Sequence, residues 1–81
     1  MRKLKKTTSL EKIDIGQKAL VIGVNINGNL RRRLFDLGLI NGTQIKCLGK
    51  SPFGDPIAFL IKDSVIAIRT EDCKNILINR I

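Results

Sequence analysis

Ile57-Ala-Phe-Leu-Ile-Lys-Asp-Ser-Val-Ile-Ala-Ile-Arg69 is the stretch whose pattern decides the fold. Ile57 to Lys62 and Val65 to Arg69 are runs rich in β-branched residues, and the short polar Asp63-Ser64 between them predicts a tight hairpin. Upstream, Gly49, Ser51, Pro52, Gly54, Asp55 and Pro56 make a turn-rich loop. Before that loop, Thr43 to Leu48 alternates with period two, setting Ile45 and Cys47 on one face and Gln44 and Lys46 on the other. Downstream, Thr70-Glu-Asp-Cys73 predicts one helical turn capped by Thr70, and Asn75 to Ile81 a last strand with Ile76 and Ile78 on one face.

Toward the N-terminus the period changes. Leu30, Leu34 and Leu37 recur at i, i+4 and i+7, the apolar stripe of a short amphipathic helix, and Gly38 is placed to close it at C′. Asn25 to Asn29 supplies a turn and an N-cap, Lys18 to Asn25 reads as a first strand, and Ser9 opens a helical turn that Ile13 to Gly16 ends. Five short strands and one helix predict a mainly β fold, a small SH3-like β-barrel with one short α-helix, because closing the sheet limits exposed edges. A five-stranded OB-type barrel has the same periodicity. Residues 1–8 are expected to form a basic flexible arm and 9–81 the barrel domain.

At 81 residues the chain has room for one core, and its apolar runs fall far short of the roughly 20 residues that span a bilayer. The basic start, Met1 to Lys6, is followed by Thr7, Thr8 and Ser9 where a signal peptide would turn apolar, so a cytoplasmic protein is expected. Cys47 and Cys73 are expected as reduced, buried thiols. The 15 Lys and Arg against 7 Asp and Glu give a net charge of +8, which calls for an acidic partner: nucleic acid, an anionic membrane face or an acidic protein surface.

Catalysis has little to work with. The chain has no His, Tyr or Trp, its carboxylates are scattered, and the two cysteines lie 26 positions apart outside any ligand cluster, so no enzyme, metal site or cofactor is expected. Arg31, Arg32 and Arg33 occupy the first turns of the helix, where the macrodipole disfavours cations. They read either as solvated surface offset by Asp36 or as a patch that faces carboxylates or phosphates. Phe53, at the tip of the Ser51 to Pro56 loop, either folds back as a cap on the barrel or projects as a binding anchor.

Three segments are specific in order and spacing: Leu30-Arg-Arg-Arg-Leu-Phe-Asp-Leu-Gly-Leu-Ile-Asn-Gly42, Pro52-Phe-Gly-Asp-Pro56 and Ile66-Ala-Ile-Arg69. Together they resemble the signatures of the FeoA family from about Leu10 to Ile78, with Asn41 where proline is common and Cys73 where alanine is common. The resemblance implies an SH3-like barrel that acts without catalysis as a cytosolic accessory of ferrous iron uptake, its partner a FeoB-type membrane transporter. Arg31, Arg32, Arg33, Leu37, Gly38, Leu39, Phe53, Gly54, Asp55 and Pro56 are the partner-binding candidates, with peripheral contact to an anionic membrane as an addition. A monomer or weak homodimer is expected. The competing readings are a basic nucleic-acid-binding barrel, which is short of aromatics for stacking, and an iron-linked regulatory module. Because the core needs no ligand cluster, a chelator is expected to leave the melting temperature of the full chain unchanged; a large drop would overturn this.

Overall fold

A computed structural model describes residues 7–81 of the chain. It is mainly β, with β1 at Thr7–Ser9, β2 at Lys18–Val24, β3 at Gln44–Lys50, β4 at Ile57–Ile61, β5 at Ser64–Ile68 and β6 at Ile76–Arg80. All six belong to one antiparallel sheet in the order β1-β6-β2-β3-β4-β5. A 3₁₀ turn at Leu10–Lys12 follows β1, helix α1 at Gly28–Asp36 joins β2 to β3, and the single turn α2 at Thr70–Cys73 joins β5 to β6.

A short sixth strand joins the about five expected. Thr7 and Thr8, assigned to the arm, pair with Asn79 and Ile78 of β6. The rest of the predicted arm, residues 1–6, lies outside the described residues.

Alternation places one face of each strand in the core. Ala19 and Val21 of β2, Ile45 and Cys47 of β3, Ile57, Phe59 and Ile61 of β4, Ile66 and Ile68 of β5, and Ile76 and Ile78 of β6 are all buried. Leu10, Ile13 and Cys73 close one part of the same core, and Ile26, Leu34 and Leu39 another. Each buried Val, Leu, Ile or Phe side chain among them contributes roughly 1.5–3 kcal/mol of transfer free energy.

The sheet bends at two bulges. The register between β2 and β6 slips between Val21 and Gly23, and that between β3 and β4 slips between Cys47 and Gly49. Each slip leaves one extra residue, Ile22 or Leu48, on the outside of a strand that now twists more sharply.

The hairpin is present with its turn one residue earlier than predicted. Ile61 pairs with Ser64, so Lys62 and Asp63 form the loop, and Lys62 takes the left-handed conformation at φ 54°. A two-residue loop needs a positive φ to match the strand twist, and Ser64 is free to extend β5.

Both cysteines are free and fully buried. Burial pushes both thiols up, that of Cys73 from 9.0 to about 12, with the carboxylates of Glu11, Asp72 and Asp55 adding to the effect. A raised thiol pKa means that folding favours the protonated form. This contribution to stability is therefore complete below the unfolded value near 9.0 and is lost as pH rises toward about 12. The melting temperature is expected to hold steady through neutral pH and to fall above pH 9.0, with both thiols alkylated only on unfolding. Rapid alkylation of the native chain near neutral pH would contradict this.

Candidate functional site

Helix α1 is the one long departure from the sheet, and its two ends are held differently. At the start, Asn27 makes no side-chain cap bond and the first turn holds no acidic residue. Arg31 turns its guanidinium back along the helix: Nη1 donates to the carbonyl of Val24 at 2.9 Å and to that of Ile26 at 3.4 Å. Arg31 thus fastens the strand-to-helix connection, and like Arg32 and Arg33 it stays exposed on the surface. Of the three, Arg31 is the one whose side chain is bonded to backbone carbonyls.

The C-terminal end is a complete Schellman motif. Gly38 N–H donates to Phe35 O at 3.0 Å and Leu39 N–H to Leu34 O at 2.9 Å, with Gly38 at φ +101°, a conformation side-chain-bearing residues rarely adopt. Leu34 and Leu39 are both buried in the core, as the motif favours. Thr43, itself buried, donates its hydroxyl to Gly38 O at 2.9 Å and ties the reversal to the start of β3. Of the predicted contacts here, Leu39 is almost wholly buried in the core, and Gly38, a stop signal, has no side chain. Leu37, read as part of the inward stripe, is 38% exposed instead. The chain has already turned at that point.

Around this end lies an apolar surface. Phe35 is 56% exposed and, with Arg31, lines two adjoining grooves. One, of about 340 Å³, is completed by Val24, Leu39, Ile40 and Asn41; the other, of about 360 Å³, by Gly28 and Arg32. Phe35 and Ile40 were missed as site residues. The available signal was an aromatic lying off the Leu30-Leu34 stripe of a short amphipathic helix.

The Ser51–Pro56 loop is built by its own hydrogen bonds. Asp55 N–H donates to Ser51 Oγ at 2.9 Å, the Ser51 hydroxyl is bonded to Asp55 O, and Gly54 N–H donates to Ser51 O at 2.7 Å. The Asp55 carboxylate then reaches α2, where Oδ1 accepts Thr70 N–H at 2.8 Å. The Thr70 hydroxyl lies 3.1 Å from both Asp55 Oδ1 and Gly54 O and shares its hydrogen between them. Thr70 was expected to cap α2 with its own side chain. It is instead the first helical residue, capped from the loop by Asp55.

Fixed in this way, the loop displays Phe53 at 96% exposure, which excludes the barrel-cap reading. Pro52, Gly54 and Pro56 shape the exposed backbone beside it. The two signature segments remain separate: the bonds of this loop run to α2, those of the α1 end to β2 and β3. Among the described residues no three His, Cys, Asp or Glu side chains converge as a metal site requires, and no helix is long and apolar enough to cross a membrane.

A single bent antiparallel sheet with an exposed aromatic on α1 and another on a stiffened loop defines a small mainly β domain of the SH3-like kind. The chain belongs to the FeoA domain family, associated with ferrous iron transport: the family model matches residues 8–80. Over 67 residues, 83% of the chain, it is 28% identical to the Fe(2+) transport protein A/Fe(2+) transporter FeoB fusion protein of Porphyromonas gingivalis, of whose length it spans 8%. The solution structure of the FeoA protein from Chlorobium tepidum superposes with a TM-score of 0.87 at 31% identity, covering 91% of this chain and 70% of that one. The zinc complex of FeoA from Stenotrophomonas maltophilia, an SH3 domain protein, has the same fold, with a TM-score of 0.74 at 24% identity and 88% of each chain covered.

The loop geometry separates display from stability. Phe53→Ala is expected to leave unfolding free energy within about 0.5 kcal/mol of the parent, because almost the whole ring is in water. Asp55→Ala, which removes the cap of α2, is expected to cost about 0.5–2 kcal/mol. Denaturant unfolding of both variants checks this, and equal losses would show that the ring packs on the domain.

Proposed function

We propose that the chain is a non-enzymatic accessory module of ferrous iron uptake that docks on the cytosolic side of a FeoB-type transporter. The observation that carries this is the solvent-exposed Phe35, set between two grooves and flanked by arginine side chains on a helix whose C-terminal end is locked in place. Exposed aromatics beside arginines are the composition of interface hot spots. The partner is suggested by the Porphyromonas gingivalis protein, in which a segment similar to this chain is fused to a FeoB transporter. Fusion makes an association between two modules intramolecular and raises their effective concentration.

In this reading Phe35, Leu37 and Ile40 supply the apolar contact, and Arg32 and Arg33 steer the module toward acidic groups. Phe53 provides a second anchor. The charge of +8 further favours approach to an anionic cytosolic leaflet, at about 1 kcal/mol for each Lys or Arg near the surface. Nucleic acid is the weaker reading, since Phe35 lies on α1, Phe53 in a loop and Phe59 in the core. The outer face of the strands therefore offers no ring for bases to stack on.

Charge reversal of all three arginines, which the helix dipole alone would favour, is a poor test, because Arg31 holds two backbone carbonyls. The informative variants are Phe35→Ala and the double reversal Arg32→Glu with Arg33→Glu. Each is expected to weaken co-sedimentation with FeoB-containing vesicles about tenfold or more, with the melting temperature nearly unchanged. A nucleic-acid shift assay on the same proteins serves as the control. Variants that bind FeoB vesicles as tightly as the parent would overturn the proposed surface.

A further inference from the structure

The sheet has two edges. One is β1, only three residues long; the other is β5, Ser64-Val-Ile-Ala-Ile68, which holds no charge, no proline and no glycine. Natural edge strands are blunted by such residues because their free N–H and C=O groups pair readily with another strand. β5 has none of these guards along its length. Val65 is 64% exposed and Ala67 is also exposed, while Ile66 and Ile68 are buried.

The register shows which backbone groups are free. The two-residue turn makes Ile61 and Ser64 a hydrogen-bonded pair, and alternation makes Phe59 with Ile66 and Ile57 with Ile68 the next two. The N–H and C=O groups of Val65 and Ala67 therefore point away from β4, toward the open edge. Among the described residues they are the unpaired groups of a strand that has a neighbour on one side only.

We infer that β5 is a homodimerisation edge, pairing antiparallel with β5 of a second copy about a two-fold axis at Ile66. In that register Val65 faces Ala67 of the second copy and Ala67 faces its Val65. Each pair exchanges both backbone bonds, so the four free groups of one edge meet the four of the other. The side chains brought together on the exposed face are one valine against one alanine, which pack without crowding.

The same register carries the charge complementarity that selects this occupant over an arbitrary strand. One step beyond each end of β5, Asp63 comes level with Arg69 of the second copy, and Arg69 with its Asp63. Arg69 is extended and continues the exposed face of Val65 and Ala67, Asp63 is the turn residue that immediately precedes Ser64, and both are exposed. The symmetric dimer thus has opposite charges across the interface twice, where a slip of two residues along the edge would lose both pairs. The interface is small, and dimerisation of the isolated chain is accordingly weak.

Sedimentation equilibrium of the full chain up to about 1 mM tests the pairing. Asp63→Arg or Arg69→Asp alone sets like charges opposite each other at both ends, and each is expected to weaken the dimer about tenfold or more. The double swap Asp63→Arg with Arg69→Asp is expected to restore it. Val65→Lys, which puts a charge at the centre of the edge, is expected to abolish it, with circular dichroism confirming that each variant is folded. In amide hydrogen exchange, Val65 and Ala67 are expected to gain protection as concentration rises, whereas Ile66 is protected throughout. A chain that stays monomeric over the whole range would overturn the proposal. So would a dimer indifferent to the single reversals, or one that the double swap fails to rescue.

Discussion

Ile22 and Leu48 are each one residue more than their partner strands can match, and the bends they impose are what allow a single sheet to surround a core. β2 pairs with β3 only over Lys18 to Leu20, then passes its bulge and continues along β6 alone. β3 likewise pairs with β2 at its start and follows β4 past its own bulge. A flat sheet of these strands would leave its apolar face in water. The bent one buries it on a common inside, which is how an 81-residue chain with two free cysteines obtains a core.

The place where β2 and β3 part company is also where the helix enters. Residues 25–43 leave the sheet as β2 bends and return through the bonds Gly42 N–H to Val21 O and Val21 N–H to Thr43 O, at 2.6 and 2.9 Å. An excursion this short has to reverse direction immediately after α1, and the Schellman motif at Gly38 does so by sending Leu39 inward and Ile40 outward. A nine-residue helix with one face on the core cannot also bury Phe35 and Leu37. The apolar surface at the α1 end is therefore a consequence of the fold's geometry, with exposed arginines beside it.

Much of this was legible in the residues. The hairpin from Ile57 to Arg69 and the strand around Ile45 and Cys47 have unambiguous period-two patterns, and Gly38 announced the helix end because few other residues accept its φ. What escaped were features set by partners distant in sequence. β1 has no apolar pattern of its own and exists because β6 offers Thr7 to Ser9 a ladder. Leu37 fits the heptad-like spacing of an inward stripe, yet the turn at Gly38 has already rotated it out. The function of Asp55 as the cap of α2 depends on a bond across 15 positions, which local reading of a Gly-Asp-Pro loop does not show. Arg31 is the same kind of case: its side chain reaches back seven residues to a carbonyl.

That bond at Asp55 gives the loop its meaning. An exposed phenylalanine on a mobile loop would lose entropy on being ordered by a partner, and part of its contact energy would be spent in fixing it. Here Ser51, Asp55 and Thr70 have already ordered the backbone on either side of Phe53, so the ring is held out from the surface before any partner arrives. The residues of the signature thus divide by role. Asp55 and Gly54 stabilise the loop, Pro52 and Pro56 narrow the conformations available to the unfolded chain, and Phe53 makes no contribution to the core. A sequence selected only for stability would have no use for a large apolar ring that is 96% exposed. In the docking proposed above, its place on a stiffened loop would lower the cost of presenting it.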